Sequence, residues 1–349
     1  MRSPSERASS SAEAPSGVLL VDKPRGPTSH DVVAIVRRAL HTRAVGHAGT
    51  LDPMATGLLV VLVGDATRLA TWVSGSSKRY RAVVSLGRAT DTLDAEGRTT
   101  EEAPLPDEVR LGLGPAIEAA LDVERARAEQ VPPAVSAIHV AGERAHVLAR
   151  RGEAPTLAPR ATRARAIDLL RSGLVDGGAE LEVELACDKG YYVRSFARDV
   201  GATLGVPAHL SELRRLSSGA LDVGEAVALV PDALPAALVP LARILPRLLP
   251  CVALTEHGAL RARQGKALDG ASHFETASPA GVCAWLYEGA PIAIGELVDG
   301  VARVVRGFPT RLRFTGPRSS RRCRAREGAR RAARRMPRRR RPEARRPRS

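Results

Sequence analysis

A chain of 349 residues with 44% hydrophobic content can bury a core, and its length suits one large domain with a smaller companion. The net charge of +15 is unevenly placed: Pro317–Ser349 holds 16 arginines against Glu327 and Glu343, a net of +14, and the remainder carries only +1. Bulk charge therefore says little about the folded part, and Cys187, Cys251, Cys283 and Cys323, without CxxC or Cys/His spacing, argue against zinc and a disulfide framework.

Met1–Ser16, rich in Ser, Glu and Ala and lacking an apolar core, reads as a disordered leader rather than a secretory signal. Gly17–Asp22 reads as a short buried strand and Lys23–Pro27 as a forced turn. Thr28 or Ser29 then caps a helix whose apolar face is Val32, Val33, Ile35, Val36 and Leu40, with Asp31 in its first turn. His41–Gly57 has no periodicity and is read as a loop, whereas Leu58–Val63 reads as a buried strand. Arg79–Leu86 alternates as a strand, Ala89–Gly97 reads as an acidic turn and Asp107–Leu121 as one helix. Leu181–Ala186 alternates again, and after a turn at Cys187–Gly190 comes a helical segment, Val193–Leu204.

Strands and helices mixed without a βαβ rhythm point to an α+β fold. The apolar run Val227–Leu249 is broken by four prolines and contains Asp232, Arg243 and Arg247, so it is not a membrane span. Strand candidates at Val282–Leu286, Pro291–Glu296 and Val301–Val305 suggest a small β-rich domain. The expected organisation is a leader (1–16), a main domain (17–230), a connection (231–249), a β-rich domain (250–314) and a disordered Arg-rich tail (317–349).

The densest chemical signal is Gly46–Gly57, GHAGTLDPMATG, a glycine-flexed loop presenting His47 and Asp52, with Pro53 fixing the backbone after the carboxylate. On residue types alone it is an ordinary surface loop. Its company changes that reading: VDKPRGPTSHD (Val21–Asp31) precedes it, and KRY (Lys78–Tyr80), LGRATDTLDAEG (Leu86–Gly97), KGYYVRSFARDVG (Lys189–Gly201) and HLSELRRLSSG (His209–Gly219) follow.

This ordered series, spanning Gly17 to about Gly224, resembles the bacterial tRNA pseudouridine-55 synthases. The resemblance implies a catalytic domain with a mixed, largely antiparallel sheet, an RNA-gripping thumb insertion at about 131–163 and a PUA-like RNA-binding domain after it. It implies that Asp52 is the catalytic carboxylate and that Arg194 pairs with it. Tyr80 packs on the flipped base, and His47 enters the T-loop to keep the base out of the stack. Tyr192 and Leu213 match further substrate-pocket positions; Lys23, in the first motif, is a candidate substrate-binding residue whose plainer reading is a cation lining the RNA groove. A carboxylate is ionised at neutral pH, and an adjacent arginine is expected to offset the cost of burying it.

The implied reaction isomerises uridine 55 of the tRNA T-loop. It breaks the C1′–N1 bond and reattaches the base through C5, so no cofactor and no metal are expected. The expected partner is the tRNA T-arm, with no membrane and no obligate protein partner, in the cytoplasm. In the thumb, Val135, His139 and His146 replace the tyrosine, lysine and later aromatic usual in the family, whereas Ser136, Ala137, Gly142 and Arg144 fit. Two rivals share features of the chain: an RNA-guided pseudouridine synthase, disfavoured by the KRY and LGRATDT spacing, and a non-catalytic tRNA-folding factor, which has no use for an Asp–Arg pair.

Overall fold

The computed structural model describes residues 15–309 apart from 137, 141–142, 145–150, 152, 154–156 and 277–280. Most of the expected leader, the Arg-rich tail and the thumb positions Ala137, Gly142 and His146 lie outside the described residues.

The elements that position the site begin with β1 (Gly17–Lys23), α1 (Ser29–Ala39), β2 (Val45–Ala48), β3 (Thr56–Val63) and β4 (Lys78–Leu86). They continue with α2 (Leu113–Ala126), β5 (Ala164–Val175), β6 (Gly178–Cys187), α3 (Val193–Thr203) and β7 (Ala208–Ser218). One mixed sheet runs in the order β5–β6–β4–β7–β3–β1, antiparallel except where β7 meets β3. β2 adds to β3, and Val227–Ala228 and Val239–Pro240 add to β1.

The central strands are apolar on both faces, which is why GVLLVD and LLVVLV read as continuous runs. Leu19, Val21, Leu59, Val61 and Val63 face one side with Val32, Val33 and Val36 of α1. Val18, Leu20, Leu58, Val60 and Leu62 face the other. Each such side chain, fully buried, contributes about 1.5–3 kcal/mol. Thr28 is the N-cap of α1, closing a capping box in which its Oγ1 accepts from the Asp31 amide and its own amide donates to Asp31.

The C-terminal part is a four-stranded sheet of Cys251–Ala253, Gly281–Tyr287, Ala290–Val298 and Val301–Gly307 with helix Glu256–Arg263, consistent with the PUA-like expectation. Its Ala284, Ile294 and Phe308 join the second face of the central strands through Leu241, Ile244 and Leu245 of a connecting helix, α4 (Leu241–Leu248).

Three expectations need correction. His41–Gly57 is not all loop, because Val45–Ala48 pairs with β3 and carries His47. Four residues are too few to show a period, and their strand character comes from the partner. The helix expected at Asp107–Leu121 is two, Asp107–Leu111 and α2, broken at Gly112. Arg88–Thr90 and Thr99–Glu102 pair across the acidic turn, so its flanks are strands.

Candidate active site

Asp52 stands on the tight segment between β2 and β3, and four groups, three of them on buried side chains, fix that segment from different directions. Ser29, at the start of α1, donates from Oγ to the Leu51 carbonyl (3.0 Å) and accepts from the Leu51 amide (2.9 Å). Lys23, at the end of β1, is fully buried and donates from Nζ to the carbonyls of Pro24 (2.9 Å) and Pro53 (3.1 Å). The Gly26 amide donates to the same Pro53 carbonyl (2.9 Å). Arg215 of β7 reaches the carbonyls of Gly49 (3.0 Å) and Thr50 (3.5 Å). Gly49 has φ +87°, a conformation that suits glycine.

Arg194 enters from the first turn of α3 and grips Asp52 side-on, Nε to Oδ2 at 2.9 Å and Nη2 to Oδ1 at 3.2 Å. The same guanidinium donates to the carbonyls of Thr92 and Val135, both at 3.0 Å, and lies 3.6 Å from the Asp94 carboxylate. The Asp94 carboxylate accepts from the Thr92 hydroxyl (2.6 Å) and the Glu96 amide (3.1 Å). The arginine is therefore fully employed, as a buried fork should be.

Enclosure pushes the Asp52 carboxyl above its ordinary value; Arg194 pulls it down and Asp94 pushes it further up. The offset expected from the arginine is thus incomplete, and a proton is held on Asp52 more readily than on a free aspartate. Burial pushes the Lys23 ammonium and the His47 imidazole down, and the Tyr80 and Tyr192 phenols up.

These residues surround a cavity of about 690 Å³. Asp52, Arg194, Tyr80, His47, Tyr192 and Leu213 all line it, so the structure brings together six of the seven residues singled out from the sequence. The seventh, Lys23, sits under the loop with its ammonium on backbone carbonyls, away from the cavity lining. His47 meets His30 edge to face at 5.3 Å between ring centres, and its Nδ1 is buried without a hydrogen-bond partner. Tyr192 caps α3, its amide donating to Gln130 Oε1 (2.8 Å). Val135 and Ser136, in the segment expected to be a thumb, also line the cavity. His139 and Arg144 are backbone partners in a short antiparallel pairing.

Sequence reasoning gave no role to Asp94, Ser29 or Arg215. Asp94 falls inside the quoted LGRATDTLDAEG series, and a second acidic residue there was the available signal. Ser29 and Arg215 fall inside two of the same motifs, but they act on backbone atoms, and residue type alone does not reveal that role. Among the described residues no His/Cys/Asp/Glu cluster suited to a metal occurs, and no described helix is long and apolar enough to cross a membrane.

An α+β sheet carrying an arginine-clamped aspartate on a loop beside a tyrosine-walled cavity is the arrangement of a pseudouridine synthase. The sequence profile of the TruB family pseudouridylate synthases (N-terminal domain) matches residues 37–193. The tRNA pseudouridine synthase B of Leifsonia xyli is 42% identical over 294 residues, covering 84% of this chain and 97% of the relative. That of Thermobifida fusca is 41% identical over 295 residues, covering 83% and 97%. The chain belongs to the TruB family. Among solved structures, an H/ACA ribonucleoprotein bound to a substrate RNA containing 2′-deoxyuridine matches with a TM-score of 0.60 at 22% identity, over 84% of this chain and 86% of that one. A Cbf5–Nop10–Gar1 complex matches with a TM-score of 0.59 at 24% identity, over 81% and 78%. These two likenesses bear on the fold alone.

Proposed function

We propose that this protein converts uridine 55 in the T-loop of tRNA to pseudouridine, with Asp52 as the reactive carboxylate. The observation that carries the reading is the bidentate Arg194–Asp52 pair on the wall of the cavity that Tyr80 also lines. The substrate assignment is supported by the relatives' name, tRNA pseudouridine synthase B.

A uridine inside a folded RNA loop has to be flipped out before its glycosidic bond can be reached. The cavity lies within the usual range for ligand sites, about 300–1,000 Å³. Tyr80 offers a ring face to hold the base by stacking. His47, at the cavity edge, fills the space the base vacates, and Tyr192 and Leu213 complete the wall.

Ionised Asp52 then drives cleavage of C1′–N1, by attack or by taking a sugar proton. The freed uracil turns over, C5 bonds to C1′, the C5 hydrogen leaves as a proton and N1 takes one up. Electrons balance without an oxidant or reductant, so the reaction requires no cofactor.

The domain reading accompanies this proposal: residues 17–230 as catalytic unit with a thumb at about 131–163, 231–249 as connection, and 250–314 as a PUA-like RNA-binding unit. The T-arm is the RNA element engaged, and the cytoplasm is the site of action.

The test is Asp52→Asn on an unmodified tRNA transcript. Turnover should vanish while tRNA binding survives, because shape is kept and charge removed. Appreciable product from the variant would sink the role of Asp52, and product of the parent protein mapped to another uridine would sink the choice of site.

A further inference from the structure

Arg215 is the least explained charged residue near the site. It is 1% exposed, yet among the described residues no carboxylate pairs with it. A buried cation without a counter-ion is costly. An apolar residue of similar volume would fill the space at lower cost, so packing alone does not account for it.

Three backbone carbonyls that accept from it bracket the Asp52 loop, and the Tyr80 hydroxyl lies beside it. Nη2 donates to Gly49 at 3.0 Å and Nη1 reaches Thr50 at 3.5 Å, both just before Asp52. Nε donates to Leu58 at 2.6 Å, where the chain has re-entered β3. One planar fork thus ties the loop's entry to its exit.

The backbone of Arg215 sits at a junction too. It is the register partner of Tyr80 on β4 and of Gly57 on β3. The contact with Gly57 is so close that an added Cβ would lie 2.3 Å from the Arg215 carbonyl oxygen. Lys78, two residues before Tyr80, is itself buried and spends its ammonium on the Ser74 and Ser76 carbonyls.

We infer that Arg215 is a positioning residue for the reaction, holding the loop that carries Asp52 in register with Tyr80, its partner across the sheet. The inference rests on the reading of Asp52 as the reactive carboxylate. Arg215 does not line the cavity, so it acts through the loop and not on the RNA. It also draws the Tyr80 phenol back down against the upward push of burial, which agrees with the closeness of the two side chains.

Full-length Arg215→Met and Arg215→Lys proteins test this with unmodified tRNA transcript. The measurements are single-turnover rate, tRNA affinity and melting. Displacing reacting groups by an ångström costs on the order of a hundredfold in rate, so folded Arg215→Met should lose about that much in the chemical step with affinity close to the parent's. Arg215→Lys keeps the charge but not the fork and should recover part of the rate. A parent-like rate in folded Arg215→Met, or a loss confined to affinity, would overturn the inference.

Should neither variant fold, the Arg215 Nε–H of the parent protein decides by NMR: slow exchange with solvent supports the clamp and fast exchange refutes it. Asp52→Asn is run alongside. Product from that variant overturns the functional reading, and the Nε–H exchange then judges the clamp by itself.

Discussion

Removing Arg194 tests the site most severely, because one guanidinium serves Asp52, Asp94 and two carbonyls. Arg194→Met keeps much of the length and loses the charge. Breaking a buried pair by deleting one partner costs about 3–5 kcal/mol. The Asp52 side chain is 34% exposed, so water screens the orphaned charge and the lower end, about 3 kcal/mol, is expected. The pH dependence has a definite sign. The folded-state carboxyl of Asp52 already lies above its unfolded value, so its contribution to stability is complete below the unfolded value and is lost as pH rises through the folded one. Deleting Arg194 raises the folded value further. The variant's deficit against the parent should therefore be largest at neutral pH and shrink on acidification, as Asp52 takes up its proton.

On the proposed role of Asp52 the reaction uses its ionised form, so the acidic limb of the rate profile should move to higher pH in the variant. The assay is release of tritium from C5-labelled uridine in tRNA across pH, with urea melts at the same pH values. An unmoved acidic limb, together with a deficit that does not change with pH, would refute the reasoning.

Two other perturbations follow from the geometry and the charge distribution. Gly57→Ala places a Cβ 2.3 Å from the Arg215 carbonyl oxygen at a φ of +94°; it should destabilise the protein by on the order of 3 kcal/mol, and a melt indistinguishable from the parent's would contradict this. A variant ending at Gly316 loses a +14 segment. Its affinity for arbitrary RNA should be less salt-dependent, since each neutralised phosphate contributes about −0.7 to −0.9 to the log–log slope; its choice of uridine should persist. Equal slopes for the two proteins would show that the tail does not touch RNA.

The parts of the fold legible in the sequence are those that bury apolar side chains in a run or a strict alternation. β1, β3, β4 and β6 fall in that group. β7 escaped because its buried positions include Arg215, Ser217 and Ser218, polar residues that a hydrophobic pattern does not register. β5 escaped because it is the sheet's edge: only one side is paired, most of its residues are exposed, and no face repeats. At the site, the ordered motifs brought out the residues that face the cavity. Those that hold the loop from behind lie in the same motifs, but their role stayed hidden, since a carbonyl accepts from any donor that reaches it. Lys23 shows this limit. Its place in the motif suggested a groove-lining cation, whereas its ammonium is turned inward to Pro53.

The apolar layer shared by the central strands and the C-terminal sheet has a mechanical consequence. Val18, Leu20, Leu58 and Val60 are covered on that face by the layer that also includes Ala284, Ile294 and Phe308. A sheet fastened in this way cannot swing on a hinge without baring that layer to water. It behaves as a fixed arm, at a constant offset from Asp52. On the proposed reading, an RNA that touches both places would be gauged against a rigid caliper, and a helix of the wrong length would meet one jaw and miss the other.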